Sequence, residues 1–148
     1  MIDTTKCLQV GLLVEDLDKS MEQWSAFLRK QPDMVGETDG PEKSRAEYKG
    51  ERCYGRIRQA IYQLNGVQIE LIEPIGDEPS YWKECLVEKG PHIHHLAFQS
   101  DNIHEDMATL ASMGDPYVQY GEWGGGSGKY AYFDLRQSLS AVVELLDL

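Results

Sequence analysis

Pro91–Ser100, PHIHHLAFQS, carries three of the chain's four histidines in a strand-like run that ends at a helix start. The fold is decided by what this run repeats. HLAFQSDNIHEDM, from His95, aligns without a gap on QVGLLVEDLDKSM, from Gln9, and AVVELLD, from Ala141, aligns on VQIELIE, from Val67. Self-similarity of this kind marks a chain built twice from one supersecondary unit. Each half reads as a strand, a helix and three strands. The expected organisation is one α+β domain, residues 1–148, of two repeated modules at about 5–75 and 91–148. The second half is the shorter, because less chain follows its helix, where loop length is cheap to change.

Working outward, CLQVGLLV (Cys7–Val14) is an apolar strand in which Gln9 is the one polar side chain. Asp16 and Asp18 offer N-caps to a helix whose apolar stripe is Leu17, Met21, Trp24 and Leu28, running to about Arg29. Lys30–Ser44 holds two prolines and two glycines without periodicity and reads as a long polar connection. Ala46–Gly50 and Gly55–Leu64 read as strands, and Asn65-Gly66 is a hairpin signal before VQIELIEP. A short helix within Asp77–Gly90 leads to the opening stretch, and Ile103, Met107 and Leu110 repeat the first helix. GEWGGGSG (Gly121–Gly128) lacks the lysine and helix of a phosphate-binding loop and reads as a hairpin connection between strands at Tyr117–Tyr120 and Tyr130–Leu135.

Composition narrows the partners. A chain of 148 residues, 41% hydrophobic, can bury a real core. With 14 Lys plus Arg against 25 Asp plus Glu, the net charge of -11 opposes nucleic acid and anionic membrane surfaces. No apolar run approaches the about 20 residues that span a bilayer. The N-terminus has no basic, then apolar, leader pattern. Cys7, Cys53 and Cys85 are odd in number and widely spaced, which suits neither a disulfide framework nor a thiolate zinc site. The expectation is a cytoplasmic protein acting on a small molecule.

The repeat also singles out side chains. It pairs Gln9 with His95 and Glu70 with Glu144, four groups able to coordinate a metal, each within an apolar strand. A lone strand glutamate is ordinarily a solvated one, and a lone histidine before an apolar run is ordinarily structural. Four such positions under one repeat point instead to a shared polar or metal site, because buried carboxylates need a cation or protons. One nitrogen and three oxygens suit a divalent ion: Zn, Ni, Co, Mn or Mg, with Fe(II) also compatible.

At these residues the chain resembles the vicinal oxygen chelate superfamily, which includes glyoxalase I, methylmalonyl-CoA epimerase, extradiol dioxygenases and fosfomycin or bleomycin resistance proteins. The resemblance covers nearly the whole chain. It implies two βαβββ modules in a curved, cup-like mixed sheet, with metal ligands from the first and last strands of each module: Gln9, Glu70, His95 and Glu144. That ligand set is similar to eukaryotic glyoxalase I, whereas IELIEPIGDEPSYWKECLVEKGPHIHHLAFQSDNI is more similar to methylmalonyl-CoA epimerase. Both activities remove a proton alpha to a carbonyl. The resemblance therefore implies a metal-dependent isomerase or lyase acting on an oxo acid, a thioester or a thiol adduct, with Glu144 or Glu70 as base. Glu47 is a further candidate carboxylate, and Arg56 or Arg58 a candidate partner for a substrate carboxylate. An Fe(II) ring-cleaving dioxygenase is one alternative, opposed by Gln9 where two histidines are preferred. A non-catalytic binding protein lined by aromatic residues such as Trp123 is the other. A homodimer is expected from the same resemblance.

Overall fold

In the computed structural model, which describes residues 1–148, the two aligned stretches lie side by side in the middle of one mixed sheet. The first half forms β1 (Ile2–Asp3), β2 (Gln9–Leu13), α1 (Leu17–Leu28), β3 (Met34–Glu37), α2 (Pro41–Ser44), β4 (Glu47–Tyr48), β5 (Glu51–Arg52), β6 (Arg56–Gln63) and β7 (Gln68–Ile75). After α3 (Tyr81–Lys89) come β8 (His92–Ser100), α4 (Ile103–Ser112), β9 (Gln119–Trp123), a 3-10 turn at Gly124–Gly126, β10 (Gly128–Leu135), α5 (Arg136–Leu139) and β11 (Ala141–Asp147). Strand order is β3-β6-β7-β2-β8-β11-β10-β9-β4-β5, with β1 beside β8. The first strands of the two halves, β2 and β8, pair antiparallel, and each runs parallel to the last strand of its own half, β7 or β11. This is the curled α+β sheet of two βαβββ units that the repeat and its resemblance imply.

Period-two alternation decides what each face of the sheet meets. On one face Ala60, Tyr62 and Leu71 pack under Leu17, Met21, Trp24 and Leu28 of α1, and Ala131, Phe133 and Leu145 pack under Ile103 and Met107 of α4. The intervening residues point the other way, into the concave face. There Leu13, Ile57, Ile72, Tyr132, Val142 and Leu146 join Tyr81 and Trp82 of α3 in one core drawn from both halves. Asp16 and Ser80 cap α1 and α3 by accepting from the N–H three residues on. No helix is long and apolar enough to cross a membrane, and all three cysteines are free.

Two local readings are corrected. Lys30–Ser44 is not an unstructured connection: it contains β3, paired with β6, and the single turn α2. β3 escapes pattern reading because it is a four-residue edge strand, MVGE, with no buried position. Ala46–Gly50 is not the next strand of the first unit. Its core, β4, forms a hairpin with β5 and adds to β9 of the other half.

Candidate metal centre

Register brings the four repeat-paired residues together. On neighbouring strands Glu70, Gly11 and His95 stand in one cross-strand row, and Gln9, Ala97 and Glu144 in the next. Gly11 and Ala97 are equivalent positions of the repeat, so each row is a small residue flanked by two polar ones. The small residues leave the space that the four side chains fill. A Cβ on Gly11 would lie 2.0 Å from His95 Cε1, so the imidazole lies where a side chain would otherwise be.

The donor atoms converge closely. His95 Nε2 is 2.7 Å from Glu144 Oε2, 3.5 Å from Glu70 Oε1 and 3.0 Å from Gln9 Oε1. The same Gln9 amide atom is 3.1 Å from Glu70 Oε1 and 3.2 Å from Glu144 Oε2. Bonds of about 2.1 Å to a divalent ion place neighbouring ligand atoms of an octahedron about 3.0 Å apart, so these separations fit such an ion. All four side chains are buried. Burial and the charge of Glu144 push the Glu70 carboxyl up to about 8, against the pull of His95. Burial opposes protonation of His95, but the carboxylates of Glu144 and Glu70 outweigh it and its pKa is raised. Without a cation the site thus holds extra protons.

Around this centre the wall is aromatic. Tyr132, in register with Glu144, lies with its ring 5.1 Å from that of His95 and accepts a hydrogen bond from Trp82 Nε1 at 3.0 Å. A β-bulge opposite Gly11 and Leu12 accommodates His94, whose Nδ1 meets His95 Nδ1 at 3.0 Å while its ring packs on Tyr81 and Tyr132. Burial pushes the His94 pKa well below its usual range, so it is neutral. If His95 Nε2 serves a cation, its Nδ1–H donates to His94, which orients the ring.

Gln9, Glu70 and Glu144 line one cavity of 510 Å³ with Trp82, Tyr130 and Tyr132 in its wall and Trp123 and Glu122 from the β9–β10 hairpin. Glu47 is not brought to it. It sits on β4 with Oε1 accepting from Tyr117 OH at 3.0 Å, because β4 joins the far edge of the sheet. Arg56 pairs with Glu37, and Arg58 with Asp18 and Glu73; neither lines the cavity. Lys6 is the one cationic side chain that does. Sequence reasoning offered aromatic residues as a pocket lining but did not single out Trp82, Tyr130 and Tyr132. The alternation in KYAYFDL separates both tyrosines from Ala131 and Phe133, but their place beside Glu144 depends on strand register.

The sequence pattern of the Glyoxalase/Bleomycin resistance protein/Dioxygenase superfamily matches residues 8–133. YqjC of Bacillus subtilis, an uncharacterized protein, is 30% identical over 97 residues, covering 62% of this chain and 66%, just under two thirds, of its own. Among solved structures, methylmalonyl-CoA epimerase from Mycobacterium tuberculosis superposes with a TM-score of 0.68 at 23% identity, covering 99% of this chain and 91% of that one. Streptomyces coelicolor methylmalonyl-CoA epimerase in complex with 2-nitronate-propionyl-CoA gives 0.72 at 18% identity, with 97% of each chain covered. At these identities the structural likeness concerns the fold.

Proposed function

Because the chain belongs to the glyoxalase/bleomycin resistance protein/dioxygenase superfamily, we propose that it is a metal-dependent isomerase or lyase of epimerase or glyoxalase type, removing a proton alpha to a carbonyl of a small molecule. The observation that carries this reading is the convergence of Gln9 Oε1, Glu70 and Glu144, which line the cavity, on the fully buried His95 Nε2 behind them. A divalent cation held there by Gln9, Glu70, His95 and Glu144 would supply Lewis-acid charge stabilisation to a substrate oxygen. The rest falls to side chains. Glu70 and Glu144 come from equivalent strands of the two halves and approach the centre from either side, so each can move a proton on one face of a substrate carbon. Trp82, Tyr130 and Tyr132 exclude water and supply flat apolar surface to the substrate body.

One imidazole against two carboxylates is unlike the two-histidine, one-carboxylate set of Fe(II) oxygenases, which favours proton transfer over oxygen chemistry. The epimerase neighbours, whose solved complexes include methylmalonyl-CoA, support a thioester as one substrate class beside oxo acids and thiol adducts. The test has two stages. Metal is measured in protein purified without an affinity tag, and the metal-loaded protein is then incubated in D2O with a 2-oxo acid, an acyl-CoA and a glutathione hemithioacetal while alpha-deuteration is followed by NMR. Bound stoichiometric metal and deuteration of one class are expected. Protein that neither holds metal nor gains thermal stability from it would sink the proposal. Glu70→Gln/Glu144→Gln separates the binding-protein alternative, since a binding module keeps its ligand affinity in that variant.

A further inference from the structure

We propose that Gln68 is a positioning residue that decides which end of the Gln9 amide faces Glu70, Glu144 and His95; its consequence for metal binding rests on the function proposed above. Gln9, Gln68 and Gln63 are successive cross-strand partners on β2, β7 and β6, and their side chains form a directed chain. Gln9 Nε2 donates to Gln68 Oε1 at 3.1 Å, Gln68 Nε2 to Gln63 Oε1 at 2.9 Å, and Gln63 Nε2 to the Leu64 carbonyl at 3.0 Å. The last acceptor is backbone and cannot become a donor. Leu64 is itself held across the Asn65-Gly66 turn, its N–H bonded to Val67 O at 2.9 Å.

An amide has one oxygen and one nitrogen end, so polarity set at Leu64 propagates to Gln9 and leaves Oε1 facing the two carboxylates and His95. Considered alone, Gln9 prefers the reverse. Turned over, its nitrogen would donate to Glu70 Oε1 at 3.1 Å and Glu144 Oε2 at 3.2 Å, filling the space a cation needs with protons. Its oxygen would then meet Gln68 Oε1 at 3.1 Å, acceptor against acceptor. Relief would require Gln68 and Gln63 to turn as well, and Gln63, which is exposed, would give up its bond to the Leu64 carbonyl for solvent. The chain therefore opposes the local preference and keeps an acceptor pointed at the centre. The second half has no such chain: the repeat partner of Gln68 is Val142, and the partner of Gln9 is His95, which His94 orients instead.

The test is calorimetric titration of Co2+ into the full-length chain at fixed pH, with the Gln9 side-chain NH2 signals followed by 15N NMR in metal-free protein. Partners of this kind typically change metal affinity by about 10- to 100-fold. Gln68→Met, which neither donates nor accepts as an amide does, should bind Co2+ at least about tenfold more weakly. Gln68→Glu still accepts from Gln9 and should retain wild-type affinity or better. In Gln9→Glu, whose two ends are alike, adding Gln68→Met should change affinity less than about twofold, an outcome that a general structural role for Gln68 does not produce. Wild-type affinity in Gln68→Met, or an equal loss in both backgrounds, overturns the proposal. If the wild-type protein takes no Co2+, the metal reading fails, and the NMR arm decides the rest. Gln9 NH2 signals that shift in Gln68→Met support the orienting role, and unchanged signals overturn it.

Discussion

A methyl group at position 11 would lie 2.0 Å from His95 Cε1 and 2.5 Å from both ring nitrogens. His95 has no room to shift aside within the site, because Tyr132 and His94 pack against the same ring. Gly11→Ala should therefore expel the imidazole, destabilise the fold by about 1–3 kcal/mol through overpacking, and abolish metal-induced thermal stabilisation. Urea denaturation with and without Co2+ checks both effects, and an unchanged Co2+ response would contradict the geometry. The same centre sets a pH dependence. Glu70 is raised from 4.5 to about 8 in the folded state, so between those values the folded protein binds more protons than the unfolded chain. His95, also raised, acts with the same sign. Stability of the metal-free protein is fully present below about pH 4.5 as far as Glu70 is concerned, and should fall by up to a few kcal/mol as pH rises through 8. Co2+ affinity should rise over the same window, because ligation needs those protons gone. Denaturation midpoints measured from pH 5 to 8.5 in chelator, and titrations across that range, would show two opposite slopes.

At the scale of elements, α3 is the piece that finishes the cup. Its Trp82 side chain packs on Tyr130 and Tyr132 and donates to the Tyr132 hydroxyl at 3.0 Å. Trp82→Phe keeps much of the ring but leaves that buried hydroxyl without its donor, at a cost of about 1–2 kcal/mol. A urea midpoint equal to wild type would show that the bond contributes nothing. How much could be read in advance follows from the same physics. β2, α1, β8, α4 and β11 were legible because burial on a regular period writes itself into sequence, and the repeat turned Gln9, Glu70, His95 and Glu144 into one set. β3 was not, since a short exposed edge strand has no buried face to pattern. Glu47 was misplaced for a related reason: β4 pairs with β9, across the boundary between the halves, and no local rule announces such a partner. The Gln9–Gln68–Gln63 chain was equally hidden, because it exists only once three strands are in register.

For the molecule as a whole, the halves cannot be pulled apart without breaking both sheet and core. β2 pairs with β8, the β4–β5 hairpin of the first half caps β9 of the second, and the concave core mixes Leu13, Ile57 and Ile72 with Tyr132, Val142 and Leu146. The repeat thus does not imply independent folding. Unfolding should be a single cooperative transition, with calorimetric and van't Hoff enthalpies equal, and residues 1–76 alone should remain unfolded. Two resolved transitions would contradict this. Metal belongs to the same scale, because Gln9 and Glu70 come from one half and His95 and Glu144 from the other. An ion held by all four closes the seam between halves and stabilises only the complete fold. At a free concentration 100 times its dissociation constant, it should add about 2.7 kcal/mol, or about 5–10 °C in Tm for a chain of this size. That gain should appear as a shift of the one transition, and Glu144→Gln, which removes a ligand from the second half alone, should lose most of it for the entire molecule.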